Sequence, residues 1–267
     1  FLARRMNSLM GFRRTGMNRF VLCAIFLLAA SVPSSVWSDD DKKKTTGDDN
    51  TDRKMVELQK KSKSFETCAS QVSTVIRIED QEVTISGLGF FKGPGKMRIE
   101  KSLPDGSAQL VINDGSYLWI HDKAENLVSR INLARVYQVT KIEADADQFD
   151  PLRPFRGIDW STIRYTGDVT VAEGVHAVFE AKPLPTLLFA QLPSPPARVI
   201  LHIHEVDGLL RQARIYDAED NEIIVQDFLE VQGNRELDDK QFEFIVPAGA
   251  HPMDATSDAI SFFKSIE

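Results

Sequence analysis

From Phe65 onward apolar and polar residues alternate with a period of two: Val72, Thr74, Ile76 and Ile78 alternate with Ser73, Arg77 and Glu79, and Val83 and Ile85 resume the pattern after a polar break. Alternation of this kind is the signature of β-strands, because successive side chains project to opposite faces. Short turn signals punctuate it at Gly93-Pro94-Gly95, Pro104-Asp105-Gly106, Asn113-Asp114-Gly115, Asp207-Gly208 and Asp220-Asn221. Each supplies the positive-φ or fixed-φ residue that a tight reversal needs. The pattern predicts about eleven strands, near 67–78, 83–91, 96–102, 108–113, 116–122, 126–131, 161–167, 175–182, 197–205, 209–216 and 222–231, with Phe242–Val246 as a closing piece. The strands predict a long antiparallel meander.

Several strands are apolar on both sides. Tyr117 and Trp119 alternate with Leu118 and Ile120, and Val199, Leu201 and Ile203 alternate with Ile200. A sheet with one face in water reads apolar on one face only, so both faces are covered. Two architectures satisfy this: a packed sandwich, or a curved sheet enclosing a cavity on one side and capped on the other.

Helical spacing occurs at three places, once ahead of the strands and twice between them. Asp52 is placed to cap a helix over 53–63 with Met55, Val56 and Leu58 as contacts, and Asn132 caps a second that carries Leu133, Val136 and Tyr137. In the third, Pro183–Pro196, Pro185 suits a first helical position, and Leu184, Leu187, Leu188 and Leu192 fall on one stripe widened by Phe189. That stripe predicts a short helix over a barrel mouth or packed on the sheet. No internal repeat is visible.

The first 38 residues predict a secretory leader. A basic segment after Met17 is followed by the apolar run Phe20–Ala30, a helix-breaking Ser31-Val32-Pro33 and small residues to Ser38, with cleavage expected there. Eleven apolar residues are about half of the roughly 20 that cross a membrane. Cys23 follows Leu22 inside that run, where lipoprotein processing wants a small residue, so lipidation is not expected. Residues 39–51, apolar-free as far as Asn50, predict a solvated linker, 52–256 one β-rich domain and 257–267 a tail.

The leader carries five arginines and no acids, so its removal takes the balance from 32 basic and 39 acidic residues to 27 and 39, or from −7 to −12. A chain this acidic repels phosphate backbones, which disfavours nucleic acid and anionic membrane surfaces as partners. Past the leader the only thiol is Cys68, so no intramolecular disulfide is available and the fold rests on its core.

Candidate chemistry is sparse. His202 and His204 share one face of a strand and would start a metal site for a metal-dependent enzyme, but the sequence shows no local third ligand. Cys68 has no nearby His and reads as a buried thiol. The nucleophile elbow, the Ser-x-x-Lys pair and the His-Glu-x-x-His helix are all missing. Ser86-Gly87-Leu88-Gly89 sits inside a strand pattern and reads as a close backbone approach. No cofactor and no catalytic residue are expected.

Motifs in a fixed order carry a family resemblance. The leader end Ser34–Asp39, a helix leading into the strand with Phe65 and Gln71, the hairpin Asn113-Asp114-Gly115-Ser116-Tyr117-Leu118-Trp119-Ile120-His121-Asp122 and the segment Phe242-Glu243-Phe244-Ile245-Val246-Pro247-Ala248-Gly249 together resemble the LolA-like periplasmic lipoprotein carriers, which include LolB and RseB-type sensors. The resemblance covers roughly 52–254. It implies an incomplete antiparallel β-barrel of about eleven strands closed by short helices around an apolar cavity that shields acyl chains. Trp119, Tyr117, Phe90, Leu133, Val136, Leu187, Leu188 and Leu192 then become the ligand-lining candidates.

The implied function is a monomeric periplasmic carrier of lipoprotein acyl chains or other lipid, handing cargo between membrane-bound donor and acceptor proteins. An RseB-like sensing or protein-interaction role is the alternative. Where the carriers have an Arg-Pro step that latches the lid, this chain has Gly93-Pro94 and lacks the arginine.

Overall fold

The computed structural model describes residues 46–78, 81–93, 95–141, 149–184 and 192–265. The predicted leader, Pro94 and the middle of the Pro183–Pro196 segment, including Leu187 and Leu188, lie outside these residues.

The chain runs α1 (Asp49–Ser62), β1 (Thr67–Ile78), β2 (Gln81–Lys92), β3 (Lys96–Ser102), β4 (Ala108–Asn113), β5 (Tyr117–Asp122), β6 (Leu127–Asn132), α2 (Leu133–Thr140), β7 (Ile158–Val171), β8 (Gly174–Pro183), β9 (Arg198–His204), β10 (Leu210–Tyr216), β11 (Glu222–Gly233), a 3₁₀ turn (Asp239–Phe242), β12 (Met253–Asp254) and α3 (Thr256–Ser265). These strands form one open sheet in the order β12-β6-β5-β4-β3-β2-β1-β11-β10-β9-β8-β7. The pairs are antiparallel except β12 with β6. The fold is therefore mainly β, an open twelve-stranded sheet with three helices among the described residues, as the alternation and the resemblance predicted.

Turn chemistry sets the reversals. Gly95, Gly106, Gly115, Gly208 and Asp220 all have positive φ, at the turns read from the sequence. At β11 an extra residue, Glu230 with φ 50°, separates the pairs Ala69↔Gln232 and Gln71↔Leu229; such a bulge increases local twist. Gly87 makes the predicted close approach, because a Cβ there would collide with the Glu100 carbonyl on β3.

These devices curl the sheet around one core. A single apolar cluster joins Ile99 of β3, Leu118 of β5, Ile131 of β6, Phe228 of β11, Leu201 of β9, Phe179 of β8 and Ile163 of β7. Strands that far apart in the order share neighbours only if the sheet bends toward them, and this shared side is the inner face. Met55 and Leu58 of α1, Leu133 and Val136 of α2, and Ala259 and Phe263 of α3 complete the cluster.

Three boundaries differ from the expectations. The linker ends earlier, since Asp48 caps α1 by accepting from Asn50 N at 3.1 Å and Thr51 Oγ1 at 2.6 Å, while Thr51 Oγ1 accepts from Tyr165 N on β7 at 2.9 Å. The expected tail is α3, whose apolar stripe had no sheet to face until the fold existed. The closing piece Phe242–Val246 is no strand: Phe242 ends the 3₁₀ turn and is buried, and the twelfth strand comes later, at Met253–Asp254.

Candidate functional site

Strand alternation decides which side chains meet at the inner face. Cys68, Val72 and Ile76 of β1, Ile85 and Phe91 of β2, Met97 and Ile99 of β3, and Ala177, Phe179 and Ala181 of β8 all point there. Around this buried set lies a rim of partly exposed apolar groups, with Phe65, Val83, Trp160, Tyr165, Leu192 and Phe262 packed against it. Phe155 links rim and centre, its ring centroid 4.9 Å from Phe179 edge-on and 6.2 Å from Trp160. The rim gives the inner face an apolar margin open to solvent.

Of the predicted lining residues, Leu133 and Val136 are buried in the inner cluster and Leu192 packs against its edge. Phe90 does not line it. In β2 the inner positions are Ile85, Gly87, Gly89 and Phe91, so Phe91 fills the core at 0% exposure while Phe90 projects outward. The Phe90-Phe91 doublet offered an aromatic for either face, and the register chose the second.

Trp119 and Tyr117 also project outward, opposite to buried Leu118 and Ile120. A second apolar layer forms on that outer side. Trp119 stacks on Phe244 with centroids 5.0 Å apart and planes 12° apart, and its Nε1 donates to Asp114 Oδ2 at 2.8 Å. Leu110, Ile112, Leu237 and Phe242 are buried nearby in the chain's second layer, where Arg98 also donates to the Gln241 carbonyl at 3.2 Å. The hairpin and the Phe-x-Phe segment, read as separate motifs, thus touch each other. The expectation that Trp119 lines the core or a cavity is corrected: its role is to fasten the C-terminal segment across β4 and β5. Trp119→Ala should cost about 2 kcal/mol of stability, the stack and one hydrogen bond, and leave inner-face ligand affinity unchanged. Thermal melting paired with ligand titration checks both.

The histidines gather on the outer side as well. His176 pairs in register with His204 across β8 and β9, and its ring centroid lies 5.7 Å from His204 and 6.3 Å from His202. His176 is therefore the third imidazole that sequence spacing did not reveal, because the pairing of β8 with β9 brings it there across 28 residues (204 minus 176). The arrangement does not favour a cation: Arg211 Nη2 lies 3.3 Å from His204 Nδ1, and Asp207 is shared by both at 2.5 and 3.1 Å. Among the described residues no group of His, Cys, Asp or Glu is placed to hold a metal.

Burial holds His176 neutral, with its pKa pushed down to about 4, and its Nε2 is buried without a hydrogen-bond partner among the described residues. The unfolded chain takes up the proton near pH 6.5 and the folded chain does not, so stability falls as pH drops from about 6.5 to 4. His176→Phe should flatten the melting temperature over that range. An unchanged pH profile would show that His176 is not the group responsible.

Cys68 is buried, and burial pushes its thiol up to about 12, which leaves almost no thiolate at neutral pH. Its Sγ donates to the Ala69 carbonyl at 3.8 Å, a partner that takes no proton, so the thiol is not activated as a nucleophile.

No family model matches this chain, and no curated protein matches it. Solved structures do. An uncharacterized conserved protein from Thermus thermophilus is 14% identical, with 76% of this chain and 98% of that chain covered and a TM-score of 0.51. The Mycobacterium tuberculosis lipoprotein LppX is 12% identical over 72% of this chain and 99% of its own, with a TM-score of 0.44. A LolA superfamily protein from Nitrosomonas europaea is 12% identical over 73% and 97%, with a TM-score of 0.35. The Thermus protein shares the fold.

Proposed function

We propose that this protein is an exported carrier that holds acyl chains of a lipid or lipoprotein against the inner face of its open sheet, with no covalent step. The observation that carries this reading is the rim: Phe65, Val83, Trp160, Leu192 and Phe262 stay partly exposed at the margin of a buried apolar face. Apolar groups at the margin of a buried face give an apolar ligand a surface to pack against. An acyl chain is suitable cover, because each methylene removed from water contributes about 0.8 kcal/mol without directional contacts. The resemblance to the LolA-like carriers supports the same reading, as does the leader, which would deliver the protein to the periplasm. No described helix is long and apolar enough to cross a membrane.

Native mass spectrometry of the protein purified from the periplasm is the test. The expected spectrum shows a polypeptide beginning at Asp39 with co-purifying acyl lipid, released by a competing fatty-acyl probe. A diacylglyceryl group on Cys23 would overturn the soluble carrier, and a chain that neither retains lipid nor binds the probe would overturn acyl-chain binding.

A further inference from the structure

A cation stands on the inner face. On β3, Met97 and Ile99 are buried in the inner cluster, as is Leu103 just beyond the strand, and the register from Lys96 to Ser102 runs without a shift against both β2 and β4. Alternation therefore sends Lys101 inward with them. Arg98 and Glu100 go the other way and pair with each other outside, Nη2 to Oε1 at 2.6 Å.

Among the described residues, the surroundings leave the Lys101 ammonium without a counter-charge. Its cross-strand neighbours are Gly87, which has no side chain, and Gln109, which is neutral and buried. The next inner position in that row, Asp122 on β5, spends Oδ1 on its own turn, accepting from Ala124 N at 2.9 Å and Glu125 N at 3.1 Å. Burial pushes the lysine down to about 8, and no described acid offsets it. Yet the residue keeps part of its surface accessible. A second polar atom on this face, Ser70 Oγ, is buried with no hydrogen-bond partner among the described residues.

An uncompensated ammonium on the face that carries buried Ile99, Leu103 and Val111 destabilises the fold, and a methionine of similar length would not. Its chemistry fits one kind of ligand: a molecule with a single anionic head and an apolar body. We infer that Lys101 anchors the anionic headgroup, carboxylate or phosphate, of an amphiphile whose chains lie along the inner face. This inference rests on the acyl-chain reading above and gives it a ligand class, an acidic amphiphile in preference to a neutral one.

Calorimetric titration of the full chain at pH 7 with oleate, oleoyl lysophosphatidate and oleyl alcohol tests it. The acidic ligand should bind at least about ten-fold tighter than the alcohol, as a charge-assisted contact in a desolvated site gives. Preference for oleate alone identifies a carboxylate, for lysophosphatidate alone a phosphate, and for both a site that reads charge only. Lys101→Met should erase the preference while keeping the alcohol's affinity, and Lys101→Arg should retain it. Equal affinity of wild type for acid and alcohol, or a preference that survives in Lys101→Met, overturns the anchor and leaves acyl-chain binding standing. Binding of none of the three overturns both.

Discussion

Phe91→Ala is expected to lower unfolding stability by about 3–5 kcal/mol, whereas Phe90→Ala, one residue earlier, should cost about 1 kcal/mol. The two rings have the same chemistry and differ in face. Phe91 is fully buried on the inner side, edge-on to Phe228 with centroids 6.1 Å apart, and lies over Gly89, where a Cβ would come within 2.7 Å of its ring. Removing it leaves a void that neither β1 nor β3 can fill, because the glycine beneath has no side chain to move in. Phe90 projects outward and remains partly exposed, so its deletion removes area without opening a cavity. Guanidinium unfolding should show a large midpoint shift for Phe91→Ala at unchanged slope and a small one for Phe90→Ala. A larger loss for Phe90→Ala would mean that the inner face has been assigned to the wrong side of β2.

That pair also shows how much of this molecule was legible in its sequence. Strand positions were, because period two and the glycine-containing turns are local signals: the eleven long strands fall within a few residues of their predicted spans, and Asn132 caps α2 by accepting from Arg135 N at 2.9 Å. Faces were less so. When both sides of a strand are apolar, alternation alone cannot say which side meets the core, and Trp119, Tyr117 and Phe90, lining candidates by the resemblance, lie on the outer side. The missing information was the C-terminal segment, which covers β4 and β5 from outside and places Phe244 on Trp119. Contacts between positions 119 and 244 have no local signature.

The same limit hid both polar features of interest. His176 joins His204 only through the pairing of β8 with β9, and Lys101 looks like an ordinary strand-end lysine until Met97, Ile99 and Leu103 are known to be buried beside it. A lysine between Glu100 and Ser102 reads as solvated charge, whereas a lysine two residues past a fully buried isoleucine does not. Sequence alternation was therefore enough to raise the question of what lies on the inner face. Only the register answers it.

Gly208→Ala is expected to lower unfolding stability by about 3 kcal/mol or more. Gly208 turns β9 into β10 with φ 72°, a conformation that costs an alanine about 1–2 kcal/mol by itself. Space is the larger problem. A Cβ there would run into the Leu58 carbonyl of α1 and come within 2.9 Å of Ser62 N and 3.0 Å of Lys61 Cβ, so the helix backbone would have to move. Helix α1 cannot lift without loss, since Met55 and Leu58 are buried in the inner cluster, Lys54 pairs with Glu205, and Lys61 Nζ donates to the Glu205 carbonyl at 2.6 Å. Partial exposure of one such apolar side chain costs up to about 1.5–3 kcal/mol. Gly106→Ala is the control: its φ of 81° imposes the same backbone strain, but nothing lies within 4 Å of the added methyl. Equilibrium unfolding of both variants separates the two contributions. The difference between them measures how tightly α1 is seated on the β9–β10 turn, and equal losses would show that the helix is free to shift there.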